Sequence, residues 1–133
     1  MKKLKIEDFP DLLAEQNKES RDLEFEFTKD MQKIYSSARG DLGYISTRFL
    51  ISLYKSGGRK TAKEMLQSKT NNSIVEKFIA NQRRSEEGVE KYTVEYLIFN
   101  NDKYHKLFDA NEIKICEERL KKWSNLYRSK IKK

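Results

Sequence analysis

A chain of 133 residues with 28 basic and 21 acidic side chains, a formal charge of +7, and equal shares (37% each) of charged and hydrophobic residues can build one real core beneath an unusually large solvated surface. Seven Phe, seven Tyr and one Trp argue against disorder, five Gly and one Pro are too few turn formers for an all-β domain, and one Cys excludes an internal disulfide. No apolar run reaches the roughly 18 residues of a membrane span, and the basic start Met1–Lys5 runs into Glu7, Asp8 and Asp11 rather than a signal peptide's apolar stretch, so a soluble, cytoplasmic protein is expected.

In chain order, residues 1–20 read as a mobile N-terminal arm and residues 21–131 as the core of a single helical domain. Within the arm, Asp8-Phe9-Pro10 starts a short helix, with Pro10 in the first turn where its missing N–H costs nothing. Leu23, Phe27, Met31, Ile34, Tyr35 and Ala38 recur at steps of three and four, which predicts a helix over 22–39 with Gly40 as its C-cap. Residues 42–56 form the densest apolar stretch. They read as a central helix with Ile45, Phe49, Leu50, Leu53 and Tyr54 buried and Phe49 at the centre of the core. Gly57-Gly58 ends it, and a third helix follows over 59–67 with Ala62, Met65 and Leu66 inward.

Residues 68–72 are polar and predict a loop. Ser73 and Glu76 have the spacing of a capping box, and Val75, Phe78 and Ile79 give the following helix its apolar side. Residues 82–91 are charged and predict an exposed loop. Thr93-Val94-Glu95-Tyr96 opens a short helix that Asn100-Asn101 breaks, and residues 104–108 make about one turn. Asp109 and Glu112 form a second capping box at the start of a last helix reaching about residue 130. Its stripe is Ile113, Cys116, Leu120, Trp123, Tyr127 and Ile131. The fold expected is an all-α bundle of five to seven helices.

Catalytic machinery is sparse. Only His105 and Cys116 could join a triad or a zinc site, and a closed zinc site takes four ligands. Cys116 falls on the apolar stripe, which suits a packing thiol. Gly57-Gly58-Arg59-Lys60 could cradle one phosphate at a helix start, but reads better as a helix cap. Glu112-Ile113-Lys114 resembles the tail of a nuclease motif that belongs on a strand, and here it lies on a helix. Glu95 suits the N-terminal end of its helix through the dipole. No enzyme, cofactor or metal is expected.

The charge is uneven. Residues 1–43 carry 8 basic and 10 acidic side chains, and residues 44–133 carry 20 and 11. Lys114, Lys121, Arg128 and Lys132 share one face of the last helix, with Lys122 and Lys130 nearby. Arg83-Arg84 and Arg59, Lys60 and Lys63 form two further clusters. These residues are the candidate contacts to nucleic acid, or to a nucleic-acid-handling complex, in a non-catalytic binding module. A helix-turn-helix built from 59–66 and 74–79 would need a shorter connection. The alternative is a small protein–protein adaptor or inhibitor of phage or bacterial-defence type, using the acidic first long helix and exposed aromatics such as Phe25, Tyr92 and Tyr104.

The spacing of Gly43-Tyr44, Arg48-Phe49-Leu50, Gly57-Gly58, Ala62, Leu66, Thr93-Val94-Glu95, Leu107-Phe108, Glu112 and Arg119-Leu120 resembles a recurrent bacterial all-helical protein family with no assigned activity. The likeness covers about residues 23–123, and it departs where that family carries a Gly-Arg-Leu-Asp-Leu-like segment, here Gly88-Val89-Glu90-Lys91-Tyr92. The resemblance implies an all-helical unit.

Overall fold

The computed structural model describes residues 3–42, 47–68 and 89–131, with the backbone course alone for residues 42, 89–90 and 124–131. The described residues contain helices and no strand, so the fold is all-α. In order these are α1 (Pro10–Leu13), α2 (Lys18–Leu42), α3 (Thr47–Ser56), α4 (Gly58–Gln67), α5 (Val94–Phe99) and α6 (Ala110–Ile131). Short 3-10 helices lie at Ile6–Asp8, Val89–Tyr92 and Asp102–Leu107. The chain divides into two compact units, Met1–Met65 and Leu66–Lys133, with the division in the last turn of α4.

In the N-terminal unit, α2 is longer than the periodicity predicts. It begins before Asp22 and runs past Gly40, which is helical and has nothing within 4 Å of where a Cβ would stand. Gly40 therefore does not cap the helix. A lone glycine weakens a helix without ending it, and only the left-handed conformation makes a glycine cap. The left-handed residue is Gly57 (φ 83°), whose N–H donates to the Leu53 carbonyl at 2.9 Å and closes α3. Gly58 then starts α4 pressed against α2. A Cβ there would lie 2.8 Å from the Thr28 Cα. Its N–H donates to Thr28 Oγ1 at 2.9 Å, and that hydroxyl in turn donates to the Glu24 carbonyl at 2.8 Å. A side chain of α2 thus satisfies one of the orphan amides at the start of α4.

The core of this unit is Phe27, Met31, Tyr35 and Ala38 from α2, Leu53 from α3 and Ala62 from α4, all buried. Leu53 is fully buried whereas Phe49, Leu50 and Tyr54 are only half-buried, so the centre falls on Leu53 rather than Phe49. Phe49 stacks on Tyr35 with ring centroids 5.9 Å apart. In the first residues of the chain, Leu4, Phe9 and Leu12 are buried, with Ile6, Phe25 and Tyr54 packed against them.

In the C-terminal unit, α5 packs along α6. Thr93 caps α5, its hydroxyl accepting the Tyr96 N–H at 3.2 Å. Asn100 and Asn101 end it by donating their side-chain amides to the carbonyls of Tyr96 and Leu97. The Asp109–Glu112 capping box is reciprocal: Asp109 N–H donates to Glu112 Oε1 at 2.9 Å, and Glu112 N–H to Asp109 Oδ1 at 2.8 Å. Val94, Ile98, Tyr104, Leu107, Phe108, Cys116 and Trp123 are buried. The predicted capping box at Ser73 and the helix after it lie outside the described residues.

Candidate functional site

The register of α6 separates two faces. Glu112, Cys116 and Trp123, at steps of four and seven, are buried. Lys114 and Lys121 are exposed and lie about 140–160° around the helix from Cys116 at 100° per residue. Arg128, seven residues beyond Lys121, continues that line along the helical backbone, which runs to Ile131. Lys122 is also exposed. Lys121 pairs with Glu117 at 3.0 Å, a surface pair of small energetic weight. The last ten residues carry Arg128, Lys130, Lys132 and Lys133 with no acidic residue.

The other clusters differ. In the N-terminal unit Arg59 is taken up by Glu24, with Nη1 to Oε1 at 2.6 Å, while Lys60 is exposed and Lys63 half-buried. The ion pair neutralises the arginine that the sequence offers as a phosphate ligand, and Glu24, 35 residues away in the chain, is invisible as its partner until α2 and α4 meet. Arg83 and Arg84 lie outside the described residues. Among the aromatics, Phe25 is half-buried beneath Lys29, whose ammonium sits 5.0 Å from the ring centroid, and Tyr92 is half-buried beside Lys91. Tyr104 is fully buried and so is not an exposed contact. The polar turn that holds it buries its ring, and the Lys103 ammonium sits 5.1 Å from the ring centroid.

Glu95 is more than a dipole partner for its helix. Its side chain is buried and its carboxylate receives Arg119 Nη1 at 2.8 Å. The other arm of the same guanidinium donates to the carbonyls of Leu66 (3.0 Å) and Ser68 (3.2 Å). One arginine thereby ties α5, α6 and the entry of the chain into this unit. Cys116, on the same helix, is buried, and its thiol is pushed up to about 12, first by burial and then by the negative charge of Glu95. Such a thiol is a packing group rather than a nucleophile. His105 is half-buried with Nε2 3.3 Å from the Phe99 carbonyl.

No protein family, characterised protein or solved structure matches this chain. Structural tasks account for most of the spaced motifs: Gly57 as the left-handed cap, Gly58 as the close approach, Thr93 as an N-cap, Glu95 with Arg119 as a buried pair, and Glu112 as half of a capping box. Among the described residues no three His, Cys, Asp or Glu side chains gather as a metal site, and no helix is long and apolar enough to cross a membrane.

Proposed function

We propose that the protein is a non-catalytic binding module for nucleic acid, or for a nucleic-acid-handling complex, acting through the outer face of α6. The observation that carries this reading is the exposure of Lys114 and Lys121 in register with Arg128, on the side of α6 turned away from the buried Cys116–Trp123 stripe. Such a line of cations, about 10.5 Å apart along the helix axis, follows a phosphate backbone without entering the core. Lys122 is exposed beside them and adds to the positive charge. Lys130 is proposed to contribute by its place in the sequence, as is Lys132, which lies outside the described residues. Lys60 and Lys63 are a separate and weaker candidate in the N-terminal unit.

The test is a fluorescence titration of duplex DNA and of RNA at low and moderate salt. Each phosphate contact on a duplex contributes about 0.9 to the slope of log affinity against log salt. Replacing Lys121 and Arg128 together by Gln flattens that slope by about two contacts, or about 1.8, and weakens all sequences alike, because phosphate contacts carry no base information. Absence of binding to either nucleic acid at low salt overturns the reading. Binding indifferent to these two residues moves the site, first to Lys60 and Lys63.

A further inference from the structure

The N-terminal unit carries an apolar residue that its own packing does not explain. Ile51 is 61% exposed, the most exposed of the large apolar side chains among the described residues. It lies opposite the fully buried Leu53 on α3, so it adds nothing to the core. Arg48, three residues before it, and Lys55, four after it, fall with it in an arc of about 60°. Both cations are exposed, and neither has an ion-pair partner among the described residues. Between Asp41 and Glu64 the chain holds five basic residues and no acidic one. Of these, Arg59 is already paired with Glu24.

The neighbours of α3 hold this ridge in place without covering it. On one flank Ser52 shares a hydrogen bond with Thr61 of α4, Oγ to Oγ1 at 3.1 Å. On the other flank the Tyr54 hydroxyl accepts Gln32 Nε2 of α2 at 3.1 Å, and Tyr54 packs against the cluster of Leu4, Phe9 and Leu12. That N-terminal segment brings Glu7, Asp8 and Asp11 with it. Asp8 accepts the Lys5 N–H at 2.9 Å, and no carboxylate among the described residues reaches Arg48 or Lys55.

The chemistry of the ridge selects its occupant. A phosphate backbone would take up the two cations but leave Ile51 against charged oxygens. A lipid surface takes in the whole apolar face of an interfacial helix. On α3 only Ile51 is open to it, because the other apolar residues are buried or half-buried. A helix bearing an apolar residue between two carboxylates satisfies all three side chains at once. Arg48 and Lys55 stand about 10.5 Å apart along the axis, the spacing of two acids seven residues apart on a facing helix. We infer that the Arg48–Ile51–Lys55 ridge docks an acidic amphipathic helix of another protein. Ile51 supplies the desolvated contact, while the flanking charge pairs set register and speed encounter. The ridge lies in the N-terminal unit and does not depend on the nucleic-acid reading of α6.

The probe is a labelled, alanine-based synthetic peptide of about 20 residues, long enough to be helical, with two glutamates seven residues apart and a leucine between them. Fluorescence anisotropy follows its titration with the nuclease-treated full chain. The expected result is saturable binding at about 50 mM salt that weakens at least about tenfold at about 500 mM, where the screening length is severalfold shorter. Arg48→Glu with Lys55→Glu should abolish it, and that variant should instead bind the peptide in which lysines replace the two glutamates. Ile51→Ser, at an exposed site, should weaken binding about tenfold with the urea midpoint unchanged. Lys121→Gln with Arg128→Gln should leave peptide binding unchanged, which separates this ridge from the charge of α6 and from the general attraction of a basic chain for an acidic peptide. No binding by about 1 mM protein overturns the inference. So does binding indifferent to Ile51 or to the charge reversal, or a well-folded reversed variant that ignores the lysine peptide. If the glutamate peptide stays unbound while Ile51→Ser weakens binding to duplex DNA or to phosphatidylserine vesicles, the ridge belongs to that surface and the inference fails.

Discussion

Two glycines on the same unit should respond to the same substitution with opposite signs. At Gly58 an alanine Cβ would sit 2.8 Å from the Thr28 Cα and 3.0 Å from both Thr28 Oγ1 and Met31 Sδ. The nearest atom is backbone of a helix packed on both sides, so α4 must move rather than a side chain rotate. Overpacking of this kind costs about 1–3 kcal/mol. Displacing α4 also stretches the buried bond from Gly58 N–H to Thr28 Oγ1, and a buried amide left unsatisfied costs about 1–3 kcal/mol more. Improved helix propensity returns less than about 1 kcal/mol. Gly58→Ala should therefore destabilise by about 2–4 kcal/mol, lowering the melting temperature by roughly 10 °C in a chain of this size. At Gly40, helical and open, Gly→Ala should stabilise by about 0.5–1 kcal/mol. The assay is urea denaturation followed by circular dichroism at 222 nm, with both variants measured beside the parent. A Gly58→Ala variant within 0.5 kcal/mol of the parent, or a destabilised Gly40→Ala, would refute the packing of α4 on α2 and the continuation of α2 through residue 42.

Removing one member of the Glu95–Arg119 pair should be worse than removing both. Arg119→Leu strands a buried carboxylate and should cost about 3–5 kcal/mol in the same urea assay, while adding Glu95→Leu should recover part of the loss. A single-variant cost under about 1 kcal/mol would mean the pair is solvated. Cys116 in the folded protein should resist a disulfide reagent at about pH 8 and react as urea unfolds the chain, whereas prompt labelling of the native protein would contradict its burial. Because folding raises this thiol's pKa, its stabilising contribution is complete below about 9, the unfolded value, and is lost as the pH climbs towards about 12. The parent should accordingly lose more stability than Cys116→Ala over that interval, measured by urea midpoints at matched pH.

What the sequence determined by itself was local. The steps of three and four among Leu23, Phe27, Met31 and Tyr35, the Asp109–Glu112 box, the Thr93 start and the Asn100-Asn101 stop each depend on residues within one or two helical turns, and all describe the helices observed. Scarce Pro and Gly made an all-α chain legible before any packing was known. The outer face of α6 was legible for the same reason, since helical register alone sets Lys114 and Lys121 opposite Cys116 and Trp123. Tertiary structure decided whatever depends on partners far apart in the chain. Gly40 and Gly57 look alike as letters, but only the approach of α4 to α2 demands a left-handed residue at one of them. Arg59 looks free until Glu24 meets it from 35 residues away. Tyr104, in a polar turn, carries no periodicity to mark it as core, yet its ring is fully buried. Thr93-Val94-Glu95 and Arg119-Leu120 stand out separately in the chain, and it took the packing of α5 on α6 to make Glu95 and Arg119 one ion pair. A charge pair across 24 residues leaves no periodic trace, because nothing in the intervening backbone has to repeat for the two side chains to meet.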